Sequence, residues 1–285
     1  MTVTLFSNPS ASDTLLDEGL PLPVYQEVLH ALAEGVPEDR FRSICLTVLR
    51  QTLLHLDPQQ QGLSLFVLQC TPPATDEAVQ SLSLRLDQGI VSRVEEVPSS
   101  PLFFGAQSLS AFAVMSGHVA FVHSTIAPQE RQLFVNWHHA QCLVASPINR
   151  FGRCAGSLTA FSPFLLQGPD LAVLQDATHL ISFAIPEQEY FAGEQFSFQI
   201  MPPIQAQIDH LSLYRQRFLT VVSEARRNGQ VLSVWQAQRL VLQQFESQLA
   251  QLAHQHYSTW PHSSHERENA GRRSDWCHYG YPFAL

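Results

Sequence analysis

Apolar and polar positions recur along this chain with two periods, and each change of period marks an element. In "PVYQEVLHALAEG", Val24, Val28 and Leu32, with Leu29 beside them, follow helical spacing, and Gly35 can end the helix. A longer helix is expected after Pro37. There Phe41, Cys45, Val48, Thr52 and Leu56 form a stripe widened by Ile44, Leu49 and Leu53, and Pro58 stops it. "GLSLFVLQC" (62–70) is apolar on both faces, as a central strand is. "SLSLRLD" alternates, with Leu82, Leu84 and Leu86 inward and Ser83, Arg85 and Asp87 outward, which predicts a strand with one wet face. "QGIVSRVEEV" is read as a short helix, "SLSAFAVMSG" as a helix ending at Gly117, "HVAFVHS" as a third strand and "APQERQLFVNWHH" as a short helix.

The stretch 142–163, "CLVASPINRFGRCAGSLTAFSP", places two apolar runs around a short polar turn. Asn149 and Gly152 tolerate positive φ, so an antiparallel hairpin is expected. "GPDLAVLQDATHLISFAI" is a helix with Pro169 in its first turn and Leu171, Leu174, Thr178, Ile181 and Ile185 on its buried face. A linker follows Pro186. Two further helices then carry stripes, Ile204, Ile208, Leu211, Phe218, Val222 and Ala225 in one and Val234, Val241, Phe245, Leu249 and Leu252 in the other. This predicts a helical hairpin able to pack against a second chain, or on the domain itself. The domain organisation expected is an N-terminal extension over 1–38, a sensor-sized α+β domain over 39–186, a linker over 187–203, a helical hairpin over 204–256 and a disordered tail over 257–285, where periodicity is lost.

Composition narrows the function classes. Apolar residues make up 45% of the chain and charged residues 14%, enough to fill a core. The net charge of −9 argues against non-specific binding to nucleic acid or to an anionic membrane surface. All 16 basic residues are arginine, so mechanisms that need a lysine amine are excluded. The start lacks the basic and apolar regions of a signal peptide, and five irregularly spaced cysteines do not form a disulfide framework, so a cytoplasmic location is expected.

With these elements in order, the chain resembles the GAF domains, small-ligand sensor modules related to PAS domains. "SLSAFAVMSGHVAFVHS" is similar to the family's helix, glycine and short strand before its variable loop. "CLVASPINRFGRCAGSLTAFSP" is similar to its signature hairpin, with Pro147-Ile148 ending the first strand and Gly156 early in the second. "FLLQGPDLAVLQDATHLISFAI" is similar to its closing helix. The resemblance covers about residues 39 to 186. It implies an antiparallel sheet with helices on one side and, between sheet and loops on the other, a pocket for a small molecule bound without a covalent link. The ligand and any cofactor are left open.

The wall residues expected for that pocket are Leu65, Val67, His118, Phe121, Trp137, Cys142, Val144, Ser157 and Thr159. The small residues Ala155, Gly156, Ser157, Thr159 and Ala160 leave room above the second hairpin strand, for a packed helix more readily than for a ligand. Cys142 and Cys154 pose an alternative, since free methionine sulfoxide reductases are GAF-like and use cysteines near this hairpin. Buried inert thiols are the commoner state, and no catalytic activity is expected. The helix expected to carry a bilin-binding cysteine has none, and a cyclic-nucleotide signature needing lysine is absent. Adjacent His138 and His139 point about 100° apart on a helix and do not share a metal ion. The expectation is therefore a sensory or regulatory protein that signals through a C-terminal dimerising helical region, with a ligand-free scaffold module as the alternative.

Overall fold

The computed structural model describes residues 4–6, 19–73, 78–89, 102–123 and 140–258. Its strands are β1 (Thr4–Phe6), β2 (Ser64–Cys70), β3 (Leu82–Gly89), β4 (Phe103–Phe104), β5 (Val119–His123), β6 (Cys142–Arg150) and β7 (Arg153–Ser162). Its helices are α1 (Leu22–Glu34), α2 (Pro37–Leu56), α3 (Leu109–Ser116), α4 (Gly168–Ser182), α5 (Ile204–Leu211), α6 (Tyr214–Arg227) and α7 (Val234–Ser258). The strands form one antiparallel sheet in the order β1-β5-β6-β7-β2-β3-β4. The architecture is α+β, an antiparallel sheet flanked by helices and followed by a C-terminal helical region.

The hairpin β6–β7 sits inside this sheet, with β5 on one side and β2 on the other. β2 is central, and its seven residues are all buried, as expected of a run apolar on both sides. At Gly156 the backbone takes φ +151°. A Cβ there would lie 2.0 Å from the carbonyl oxygen of Leu68 and 2.8 Å from the Cα of Gln69. The room left by this glycine is thus filled by the neighbouring strand, and neither a helix nor a ligand uses it.

Two bulges decide which side chains share a face. Val67 pairs with Leu86 and Leu68 with Leu84, so Arg85 is an extra residue in β3. Leu82 and Leu84 therefore face one way and Leu86 the other, which corrects the expected regular alternation. Nor does β3 keep a wet face, since Ser83 is buried and Arg85 and Asp87 are half-buried. The second bulge places Ala155 and Gly156 opposite Ile148 alone.

Both faces of the sheet are covered. On one, Leu65, Val67, Phe121, Val144 and Leu158 pack against α1, α2 and α4 through Val24, Val28, Ile44, Val48, Leu174 and Ile181. α4 begins with Pro169 in its first turn and a capping box, in which the Gln167 backbone N–H donates to Asp170 Oδ2 at 2.7 Å. On the other face, Phe66, Leu68, Leu84, Leu143 and Phe161 belong to a cluster with Leu109, Ala113 and Val114 of α3 and with Leu211, Val221, Val241, Phe245 and Leu249 from α5, α6 and α7.

Several expectations change. The N-terminal lead supplies β1 on the β5 edge, and α1 enters the core shared with α2 and α4. The linker is tied to the sheet. Val79 N donates to Gln195 O at 2.8 Å, Gln199 N to Gln80 O at 2.8 Å, and Cys154 and Phe191 exchange two backbone bonds of 2.9 Å. The first helix of the C-terminal pair is two, broken at Ser212–Leu213. The stripe Val241, Phe245 and Leu249, expected to meet a second chain, is buried within this one. The segment read as a helix from Gln88 begins as the end of β3, and its remainder lies outside the described residues, as do "APQERQLFVNWHH" and the tail from residue 259. No helix among the described residues is long and apolar enough to cross a membrane.

Candidate functional site

The expected wall divides between the two faces. Leu65, Val67, Phe121, Cys142 and Val144 sit in the core beneath α1, α2 and α4, where helix side chains fill the space against them. His118 precedes β5 in the turn after α3. It is exposed, with Nδ1 2.6 Å from the Ser116 carbonyl oxygen, and so lies off the sheet interior. Trp137 lies outside the described residues. Ser157 and Thr159 are on the opposite face, under α3. Thr159 Oγ1 is 2.8 Å from Ser110 Oγ and 3.3 Å from Ser157 Oγ. These nine residues do not form one wall, because alternate positions along a strand point to opposite faces and the bulge at Gly156 shifts the alternation within β7.

The face that keeps Ser157 and Thr159 holds the better candidate. Its floor near one end of the sheet is Phe66, Val122, Leu143, Thr159 and Phe161, with Asp87 directly across from Phe66 on β3. The rings of Phe66 and Phe161 meet edge to face at 5.4 Å. The roof is α3, whose start is fixed by Ser108 Oγ accepting the Ala111 backbone N–H at 3.1 Å. β3 stops at Gly89 and β5 at His123 at this end. Gly89 pairs with Ser64, Ser64 with Phe161, Leu143 with Phe161 and again with Val122. The residues missed by sequence reasoning, Phe66, Leu143 and Phe161, carry a faint signal. Phe161 is two positions from Thr159, and Phe66 lies between two residues of the other face.

The two hairpin cysteines do not face each other. Cys142 pairs with Ser162 and Cys154 with Asn149, at opposite ends of the hairpin, and the two thiols belong to opposite faces. Burial pushes the Cys142 thiol above its ordinary pKa and that of Cys154 up to about 11. Burial also raises Cys45 and Cys70. Thiols in this state stay protonated near neutrality and are poor nucleophiles. Among the described residues, no three metal-ligating side chains converge.

A polar seam joins the C-terminal region to the sheet. Gln207 is buried. Its amide accepts from Phe103 N at 2.8 Å and donates to Phe103 O at 2.8 Å and Pro202 O at 2.9 Å, so a side chain completes the edge of β4 as a neighbouring strand would. Ser81 Oγ donates to Glu246 Oε1 of α7 at 2.5 Å, and Arg239 and Gln243 of α7 reach the carbonyls of Pro72 and Pro73. Glu189 is buried, with one oxygen taking the amide of Gln69 and Oε1 without a partner. Burial holds its pKa above the ordinary carboxylate value, against the pull of Arg85 and Arg239 and the bond from Gln69.

Helix α3, Gly117 and β5, then the hairpin β6–β7, then α4, take the places that the three motifs imply. The fold is GAF-like. No protein-family model and no curated protein matches the sequence. Solved structures to which the chain is similar include the GAF domain of the Acinetobacter phosphoenolpyruvate-protein phosphotransferase, at 12% identity over 57% of this chain and 90% of that one, with a TM-score of 0.41. The type II free methionine-R-sulfoxide reductase of Thermoplasma acidophilum is similar at 17% identity over 55% of this chain and 99% of that one, TM-score 0.39. The GAF domain of a two-component sensor histidine kinase from Bacillus halodurans is similar at 16% identity over 48% and 90%, TM-score 0.36.

Proposed function

We propose that this chain is a cytoplasmic GAF-type sensory or regulatory module that binds a small, largely apolar molecule non-covalently and catalyses no reaction. The molecule would lie between the Phe66–Phe161 floor and α3, with the Ser110–Thr159 hydroxyl pair meeting a polar group on it. The observation that carries this reading is the apolar floor of Phe66, Val122, Leu143 and Phe161 with the Ser110–Thr159 hydroxyl pair set beside it under α3. Such an arrangement suits a concave apolar site with a few placed polar groups. The raised thiol pKa values support binding over thiol chemistry. A change at α3 would reach α5–α7 through the buried cluster they share and through the Gln207 bonds to Phe103, which gives the C-terminal helices the role of output.

A thermal-shift panel of nucleotides, haem, linear tetrapyrroles and amino acids tests this. At least one compound is expected to raise the unfolding temperature of the parent, and to do so less in Thr159→Val, which keeps the shape and loses the hydroxyl. A panel with no stabilising compound would favour a scaffold module, and turnover of methionine sulfoxide that depends on Cys142 or Cys154 would assign a reductase.

A further inference from the structure

At the tip of the β6–β7 hairpin, three local choices run against stability at once. Phe151 is 87% exposed. It holds φ +52°, followed by Gly152 at +73°, a two-residue turn whose first position favours asparagine, glycine or aspartate and not an aromatic ring. Arg150 and Arg153 stand directly across from each other in the ladder, a like-charge pair. The guanidinium of Arg150 lies 5.2 Å from the Phe151 ring centre and 5.8 Å from that of Phe183, which is itself 51% exposed at the end of α4. Local rules are broken together here, as they are at functional or strained sites.

The charges beside this tip indicate what covers it. The segment 187–195 meets the hairpin near its tip through the two backbone bonds between Cys154 and Phe191, and it carries exposed Glu187 and Glu194 on either side of that bridge. Among the described residues, none of Arg150, Arg153, Glu187 and Glu194 forms an ion pair. Two arginines at the tip and two glutamates on the segment bridged to it, none in an ion pair, give this end of the molecule charges of both signs beside two exposed phenylalanines, a surface able to complement itself. A two-fold axis places the arginines of one copy against the glutamates of the next, as an isologous interface requires. Exposed aromatic and arginine side chains are also what the centre of an interface is enriched in.

We propose that this end of the molecule is the contact through which a second copy of the chain docks, forming a two-fold dimer with Phe151 and Phe183 at its centre. This dimer does not use the stripe of α7 and does not depend on the ligand-binding reading.

Sedimentation velocity on the full chain tests it, with unfolding temperature as the check on folding. The parent is expected to sediment as a dimer that weakens as salt is raised. Phe151→Asn is expected to sediment as a monomer while its unfolding temperature stays level or rises, since Asn-Gly suits the turn. The double variants Arg150→Glu/Arg153→Glu and Glu187→Arg/Glu194→Arg are each expected to be monomeric, because like charges then face each other across the axis. Mixed, they are expected to dimerise with each other, because both halves of the interface are then complementary. A monomeric parent would overturn the proposal. So would a dimer that survives Phe151→Asn and both reversals, or a mixture of the two reversed variants that stays monomeric.

Discussion

Replacing Gly156 by alanine tests how closely β7 approaches β2. The added Cβ would sit 2.0 Å from the Leu68 carbonyl oxygen, 2.8 Å from Gln69 Cα and 3.0 Å from the Leu68 carbonyl carbon. All three are backbone atoms in the middle of the sheet, so relief requires the two strands to part. The φ of +151° adds strain of about 1–3 kcal/mol for any residue with a side chain. Forcing an extra carbon into a packed interior adds about 1–3 kcal/mol more. The sum, about 2–6 kcal/mol, is a large share of the roughly 5–15 kcal/mol by which a domain is stable. Gly152→Ala is the matched control, since Gly152 also has positive φ, +73°, but its Cβ would meet nothing within 4 Å. It carries only the backbone strain, about 1 kcal/mol. Urea unfolding of the parent and both variants measures the difference, and the midpoint for Gly156→Ala is expected to fall by roughly 1 M or more. Equal losses in the two variants, or a loss below about 1 kcal/mol in Gly156→Ala, would show that β2 does not fill the space above Gly156.

Glu189→Gln tests the buried carboxyl. A carboxyl whose folded pKa is raised contributes stability below its unfolded pKa, and that contribution is lost as pH rises through the folded value. The parent should therefore lose stability relative to Glu189→Gln as the pH rises above the ordinary carboxylate range, as followed by unfolding temperature; parallel curves would show that Glu189 does not titrate differently on folding. Gln207→Ala leaves the N–H and C=O of Phe103 without partners, at about 1–3 kcal/mol each, and hydrogen exchange should speed up first around Phe103. Unchanged exchange there would remove Gln207 from the seam. Peptide mapping after brief alkylation of the native protein should find Cys45, Cys70, Cys142 and Cys154 unmodified, and all four modified in denaturant; rapid native labelling of Cys142 would contradict its raised pKa.

The parts of this fold that are legible in the sequence are those whose burial is set by local period. The stripe of α2, the doubly apolar run of β2 and the buried face of α4 with Pro169 in its first turn all lie where the pattern puts them. Long-range geometry is less legible. The bulge at Arg85 turns Leu86 away from Leu84, and no spacing of residues in β3 announces it. The hairpin turn is centred on Phe151 and Gly152, while Asn149 stays in β6 and its amide donates to the Gly117 carbonyl at 3.1 Å. β4 has only two residues, and its edge is completed by Gln207, more than a hundred positions away. The candidate site suffers from the same limit. The expected wall residues fall on both faces, since only cross-strand register tells Val144 from Thr159.

The proposed ligand-binding face lies beneath α3. The most direct test is a crystal structure of the full chain with the compound that most raises its unfolding temperature. That compound is expected between the Phe66 and Phe161 rings and α3, within hydrogen-bond reach of Thr159 or Ser110. A compound bound on another surface, with the space under α3 filled by the protein's own side chains, would contradict it.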